Sequence, residues 1–209
     1  IRYDRVVILR EIVIPLVIVA AMGCASRPQA SQSRTPDASP LIDASAQRNA
    51  PTVQKLLLNG ADPNAASTGG WTPLMASARS GCGDCIDLLL ASGARIDEPQ
   101  FDGTTALGVA TAWGSAKSVQ QLIRAGADVN HADRNGVTAL HQAAMRQDAQ
   151  KVRMLLDAGA DPNAQTAAGL TALCWVRAGP GMASESWVVF RGKVQFPPPA
   201  CADPYLLVN

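Results

Sequence analysis

Apolar positions recur in phase along most of this chain. The stretch TALHQAAMRQDAQKVRMLLDAGADPN, residues 138–163, lies without gaps on similar stretches that begin at Thr105, Thr72 and Ser39, each 33 residues apart. In the second half of each unit the apolar residues are spaced i, i+3, i+4, which predicts a helix with one buried face. These positions are Val53, Leu56 and Leu57; Ile86, Leu89 and Leu90; Val119, Leu122 and Ile123; and Val152, Leu155 and Leu156. A fixed period of this size indicates a stacked repeat protein.

Polar residues and glycines predict where the helices of each unit begin and end. A hydroxyl side chain stands at each predicted start of a first helix, where its oxygen can accept an unpaired backbone N–H; these residues are Ser39, Thr72, Thr105 and Thr138. Glycines suited to a left-handed C-cap end the second helices, at Gly60, Gly93, Gly126 and Gly159. The next polar residues are expected to close their own turns through side-chain hydrogen bonds; they are Asn64, Asp97, Asn130 and Asn163.

The segments TPLMASA, LLLASGA and GADPN, in phase at this period, resemble the ankyrin repeat. The resemblance implies an all-α ankyrin repeat solenoid, in which stacked helix–turn–helix units are joined by protruding β-hairpin loops. We expect the repeat domain at residues 39–196, with complete units at 39–71, 72–104, 105–137 and 138–170 and a degenerate fifth unit at 171–196. Residues 184–196 of that fifth unit are either helix or, given the β-prone WVVF and VQF, a hairpin. The Pro-rich residues 197–209 are expected to form an irregular tail.

Residues 1–23 have the pattern of a secretory signal peptide. Arginines precede an apolar run at residues 12–22, which is shorter than the roughly 20 residues that cross a bilayer. The segment Ala21-Met22-Gly23-Cys24 resembles the bacterial lipobox, and this resemblance implies cleavage before Cys24 and lipidation of its thiol. Residues 24–38, rich in Ser, Gln, Pro and Arg, are predicted to be a flexible tether.

This N-terminus predicts a periplasmic lipoprotein that contacts the membrane through its lipid anchor. Ala25 follows the cysteine, and the bacterial pattern then implies sorting to the outer membrane. An inner-membrane signal anchor and plain secretion are the alternatives.

Four further cysteines remain if Cys24 is lipidated, and an even number in an oxidising compartment suggests disulfides. Three pairings are possible, and we expect Cys82 with Cys85 and Cys174 with Cys201. The Cys-x-x-Cys at the start of a helix also suits a redox site, where thiolates are stabilised. A zinc site would need further ligands at suitable spacing, so no metal is predicted.

No catalytic arrangement is evident, and we expect neither enzyme activity nor a cofactor. His141 stands where the ankyrin motif usually has a histidine that bonds neighbouring loops, and His131 in an inter-repeat loop is expected to be solvated. The net charge of +1 and the lack of a basic stripe argue against nucleic acid as a partner. No small-molecule substrate is expected.

The resemblance also implies a concave binding face, made of hairpin tips and the outer side of each first helix. Transferring those positions by phase predicts partner contacts at Trp71, Arg79, Phe101, Asp102, Trp113, Arg134, Met145 and Arg146. Aromatic, Met and Arg side chains are enriched at interfaces. The alternative is that Trp71 and Trp113 only cover adjacent repeats. The sequence therefore predicts a protein-binding module, with an adaptor, inhibitor or immunity-type role; the alternative function is a redox role for Cys82 and Cys85.

Overall fold

Each repeat unit forms two short helices. The computed structural model describes residues 39–177, and nine helices lie in that range. They are α1 (Pro40–Ala46), α2 (Ala50–Leu58), α3 (Pro73–Ser80), α4 (Gly83–Ala91), α5 (Ala106–Trp113), α6 (Ala116–Arg124), α7 (Ala139–Met145), α8 (Ala149–Asp157) and α9 (Ala172–Arg177). The part of the chain so described contains no strand, only two isolated antiparallel bridges, Ala132–Thr138 and Gln165–Thr171. The predicted all-α architecture is confirmed.

Several predicted segments lie outside the described residues. They are the signal peptide with Cys24, the tether at 24–38, the fifth unit beyond α9, and the tail with Cys201, and all of them stay predictions. Within residues 39–177, no helix is both long enough and apolar enough to cross a membrane.

The second helices are capped more regularly than the first. Each second helix begins at a side chain that accepts a bond from the amide three residues on; these N-caps are Asn49, Cys82, Ser115 and Asp148. Among the first helices, Thr72 caps the amide of Met75 at 3.2 Å, but Ser39 and Thr105 make no such bond. The expectation that all the hydroxyl residues cap was therefore wrong. Their positions are still helix starts, because extended backbone there leads into the first turn.

The helices stack in two layers, and the core lies between them. First helices contact first helices from α1 through α3, α5 and α7 to α9, and second helices contact second helices from α2 through α4 and α6 to α8. Leu89, Leu122 and Leu155 of the second layer are fully buried. Burying one such side chain contributes about 1.5–3 kcal/mol. Small residues in the first helices, such as Ala110 and Ala143, are also fully buried and allow close approach.

The loops between units are tight turns with hairpin-like bonding. Each pairs an amide with the carbonyl four residues on, at 2.9 to 3.0 Å; the pairs are Ser67–Trp71, Gln100–Thr104, Asp133–Val137 and Thr166–Leu170. Adjacent tips also bond to each other, since Arg134 N donates to Asp102 O at 3.0 Å. Gly103 permits this contact, because its φ is +91° and a Cβ there would lie 3.0 Å from Arg134 N. The tips are therefore held in a row.

The asparagines that follow the second helices join neighbouring units. Asn64 Oδ1 accepts from Arg95 N at 2.7 Å, and its Nδ2 donates to Gly93 O at 3.1 Å. Asn130 repeats both bonds one interface further on, to Asp161 N at 2.7 Å and Gly159 O at 3.2 Å. The expectation that these residues close their own turns was wrong. The aspartates two residues earlier do so; Asp62, Asp128 and Asp161 each accept the amide of the residue two positions on.

Asp97 breaks this pattern between the second and third units. Its carboxylate accepts from Asp128 N at 3.1 Å, but it has no N–H to donate to Gly126 O. Asp97 therefore makes one bond to the next unit, whereas Asn64 and Asn130 each make two.

We expect Asp97→Asn to stabilise the protein, because the new Nδ2–H can bond the free carbonyl of the next unit. The gain should be about 0.5–1 kcal/mol, measured as a higher urea midpoint at unchanged slope. The matched control is Asn130→Asp, which should lose a similar amount. A lower midpoint for Asp97→Asn would contradict the pairing.

Candidate functional site

The predicted contact residues lie along the hairpin tips and the ends of the first helices, a surface that we call the first-helix face. Its members are Trp71, Arg79, Phe101, Asp102, Trp113, Arg134, Met145 and Arg146. Four large apolar side chains are exposed in the described part of the chain, and three belong to this face: Phe101 at 65%, Trp113 at 54% and Met145 at 50%. The fourth, Leu58, is 81% exposed on α2. Exposed apolar surface is thus concentrated on this face.

Trp71 and Arg79 form the first of two tryptophan–arginine pairs. Trp71 precedes α3, is half-buried and packs against the core. Its backbone is held by Ser67, whose Oγ accepts from Trp71 N at 3.2 Å. Arg79, in the last turn of α3, is exposed and places its Cζ 6.0 Å from the centre of the Trp71 ring, within reach of a cation–π interaction. Trp71 therefore packs against the core and also lies beside the exposed guanidinium group of Arg79.

Trp113 and Arg146 form the second pair, built from two successive units. They occupy equivalent positions, since Trp113 ends α5 and Arg146 directly follows α7. The Cζ of Arg146 lies 6.0 Å from the centre of the Trp113 ring. Trp113 is 54% exposed, so much of its ring is accessible to a partner beside Arg146 of the adjacent unit. Met145 lies beside Arg146 and extends the apolar area.

A buried lysine holds the turn behind Trp113. Lys151 on α8 is only 7% exposed, and its Nζ donates to Thr111 O at 3.0 Å and to Gly114 O at 2.9 Å. Gly114 is extended, with ψ of −172°, so the C-terminal end of α5 is open to this ammonium group. Asp148 Oδ2 lies 3.5 Å from the same Nζ. The fourth unit thus contacts this end of α5 twice: Lys151 bonds the backbone of the turn, and Arg146 lies over the Trp113 ring.

Sequence reasoning missed Lys151. At the equivalent positions the second and third units bury the small side chains Cys85 and Ser118. The signal in the sequence was that a lysine stands where the other two units have these small residues. It could not be interpreted without knowing that α8 packs beside α6 and lies within reach of α5.

Asp102 and Arg134 at the tips have different surroundings. Asp102 accepts from Thr104 N at 2.8 Å and from Gln100 Nε2 at 2.9 Å. Partial burial raises the pKa of Asp102, but these hydrogen bonds outweigh it and hold the pKa below the ordinary value of 3.8. Arg134 is exposed. The carboxylate thus stabilises its own tip, and the guanidinium is presented outward.

A shallow cleft lies beside Gly108, at the junction of the third and fourth units. Its walls include Thr104, His131, Asp133 and Thr138. Gly108 occupies the position where other units bury Met75 and His141, so a side chain is missing there. The cleft measures about 10 Å³, which is room for about one water molecule.

Two family models match this chain. One, described as ankyrin repeats (3 copies), matches residues 41–133. The other, described as ankyrin repeats (many copies), matches residues 122–173. Together they span well over half of the 209 residues. Residues 41–173 are ankyrin repeats. A comparison with curated proteins found no match.

Ankyrin repeats are generally non-enzymatic scaffolds for protein–protein interaction, and this coarse function applies here. The row of tips and first-helix ends is the part of this ankyrin stack that carries its exposed aromatic side chains. Contact of the individual residues with a partner stays a prediction.

The cysteines of the ankyrin stack are in disulfides. Cys82 and Cys85 are bonded to each other at the start of α4 and are only 6% and 0% exposed. Cys174 is also disulfide-bonded, and its expected partner, Cys201, lies outside the described residues. No group of three or more His, Cys, Asp or Glu side chains that could hold a metal was found in residues 39–177.

Both histidines bond neighbouring loops. His141 is fully buried; its Nδ1 accepts from Thr138 N at 3.2 Å, and its Nε2 lies 3.1 Å from Leu170 O in the next loop. The structural role that the ankyrin resemblance implied therefore fits. His131 was expected to be solvated, which was wrong: it is half-buried, and its Nε2 lies 2.9 Å from Gly103 O.

The surroundings of His141 favour its neutral form. Burial lowers its pKa below the ordinary value of 6.5, although hydrogen bonds to Leu170 and Ala164 and the charge of Asp133 oppose the shift. Protonation of Nδ1 would also remove the acceptor for Thr138 N–H.

We expect the folded protein to lose stability as the pH falls below about 6.5, because the unfolded chain then binds a proton that buried His141 does not. The loss should be at most about 1.4 kcal/mol per pH unit, measured from urea unfolding between about pH 7.5 and pH 5.5. His141→Met, which copies the buried Met75 of the second unit, should flatten this dependence. An unchanged slope in His141→Met would assign it to another group.

Proposed function

We propose that this protein is a lipid-anchored periplasmic ankyrin scaffold that binds one partner protein on its first-helix face. The observation that carries the proposal is that Phe101, Trp113 and Met145, three of the four large apolar side chains exposed in residues 39–177, all lie on this face, which also carries the two tryptophan–arginine pairs. Exposed apolar patches often mark interaction sites. Trp and Arg are also the residue types that dominate binding energy at interface centres.

Rigidity of the face supports the proposal. The tips are bonded to one another through Arg134 N and Asp102 O, and Lys151 donates hydrogen bonds to the turn that follows Trp113. A partner therefore meets side chains whose backbone is already ordered, and association costs less conformational entropy. A role as adaptor, inhibitor or immunity-type protein follows from such one-to-one binding.

The location is proposed from the N-terminal pattern. The lipobox-like segment ending at Cys24 implies a lipid anchor, and Ala25 implies the outer membrane. The disulfide between Cys82 and Cys85 agrees with an oxidising compartment, since disulfides are rare in the cytosol.

A redox role for Cys82 and Cys85 is the second candidate. Their disulfide and their place at the start of α4 favour it, because a helix N-terminus stabilises a thiolate. Their burial argues against it, since exchange needs a thiolate to reach the bond. The disulfide instead joins the turn between α3 and α4 to the first turn of α4, which suits a structural role.

We expect Trp113→Ala with Met145→Ala to weaken partner capture by about tenfold or more, because truncated anchors lose binding energy. Both side chains are exposed in the free protein, so the fold should be kept. Tagged, membrane-anchored protein would be crosslinked in envelope extract, and captured proteins quantified by mass spectrometry.

The control variant is Leu58→Ala, which removes an exposed apolar side chain from α2 instead. It should capture as the wild type does, and so should the Cys82→Ser/Cys85→Ser variant. Loss of capture in the serine variant, with capture kept in the Trp113 variant, would favour the redox role.

We expect the mature chain to begin at lipidated Cys24 and to fractionate with the outer membrane. Cys24→Ser should release the protein or leave it unprocessed, because the thiol that receives the lipid is gone. Membrane fractionation and the intact mass of the N-terminal peptide would measure this. Wild-type protein in the cytoplasm at full precursor mass would rule it out.

A further inference from the structure

The arginines of the first-helix face lack carboxylate partners. Two ion pairs join described side chains, Arg95–Glu98 at 3.2 Å and Lys151–Asp148 at 3.5 Å, and neither involves Arg79, Arg134 or Arg146. All three of these arginines are exposed. The face therefore presents three exposed arginines against one carboxylate of its own, that of Asp102, although the whole chain carries a net charge of only +1.

The acidic residues near these arginines are already engaged. Asp133 Oδ1 accepts from Asn135 N at 2.8 Å and from Val137 N at 2.9 Å. Asp102 is bonded to Thr104 N and Gln100 Nε2 in the same way. These carboxylates keep their negative charge, but their oxygens bond groups of their own tips, so the N–H groups of the arginines are left for a partner.

Arg79 and Arg146 each lie over a tryptophan ring, and this arrangement selects the kind of group that can bind. The ring covers one side of the guanidinium, while the N–H groups around its edge remain available. Two parallel N–H groups match the two oxygens of a carboxylate. Each pair is therefore suited to a carboxylate with an apolar group beside it.

The two pairs are spaced for an extended chain. Arg79 lies on α3 and Arg146 follows α7, with α5 packed between these helices. Arg79 lies over Trp71, before α3, and Arg146 lies over Trp113, at the end of α5, so the two pairs are offset by one helix spacing of about 8–10 Å and by the length of one first helix, about 12 Å. The pairs are therefore about 15 Å apart. An extended peptide rises about 3.3 Å per residue, so about four or five residues cover that distance.

We propose that the first-helix face binds an extended acidic segment of the partner protein, with two carboxylates about four or five residues apart. One carboxylate pairs with Arg79 and the other with Arg146, and an apolar side chain between them contacts Trp113. Arg134 at the tips adds long-range attraction and faster association. This inference rests on the proposed function, because it names the chemistry of the partner on that same face.

A set of fluorescein-labelled peptides tests the spacing. Each peptide carries two glutamates, separated by about two to nine residues, on a Ser/Gly background with one central leucine. Binding to the full-length protein is followed by fluorescence anisotropy. We expect the tightest binding near the spacing given above, and about tenfold weaker binding when both glutamates become glutamine.

Charge-matched variants test the arginines. Arg79→Gln and Arg146→Gln should each weaken the best peptide about tenfold, because one charge-assisted pair is lost. Arg146→Lys should recover little, since an ammonium group cannot form the two-pronged contact. The control is Arg153→Gln, which makes the same charge change at an exposed site on α8.

Equal binding at every spacing, equal binding of the glutamine peptides, or no binding of any peptide would overturn the proposal. So would anionic phosphatidylglycerol vesicles that bind through Arg79 and Arg146 while the peptides do not. In any of these cases, partner capture that still depends on Trp113 would leave the proposed function standing. Capture that is indifferent to Trp113 would overturn the proposed function itself.

Discussion

Burial of the second-helix leucines between neighbouring units is the interaction on which the rest of the structure depends. A two-helix unit has one apolar stripe and nothing of its own to cover it, so the next unit must do so. Leu89, Leu122 and Leu155 are fully buried in this way, and the first helices approach closely over residues such as Ala110. Side chains at the interfaces then add bonds between units, as Asn64 and Asn130 do.

The candidate binding face exists only because the units are stacked. Trp113 belongs to the third unit, whereas Arg146 above its ring and Lys151 behind its turn both come from the fourth. The row of tips is likewise bonded across units, from Arg134 to Asp102. Separation of the units would therefore remove the face together with the core, so binding and stability are coupled.

Residue types that often perform chemistry serve packing in this protein. His141 is buried, and its two ring nitrogens contact Thr138 at the start of its own helix and Leu170 in the loop that leads to the next unit. The disulfide of Cys82 and Cys85 is buried at the start of α4. The histidine and the disulfide therefore stabilise the packing of short helices and loops. The exposed aromatic and arginine side chains are the surface that a partner can use.

The sequence by itself determined the repeat, the helix pairs and the buried stripe, because apolar residues at helical spacing can be recognised directly in the order of residues. It also placed the exposed residues of the face by phase alone, Phe101, Trp113 and Met145 among them. Only the tertiary structure decided which polar groups meet. Asn64 bonds the next unit rather than its own turn, Lys151 reaches the end of α5, and Arg146 lies over Trp113. These contacts join residues about 30 to 40 positions apart, and hydrogen bonds depend on angles and tenths of an ångström that no periodic pattern contains.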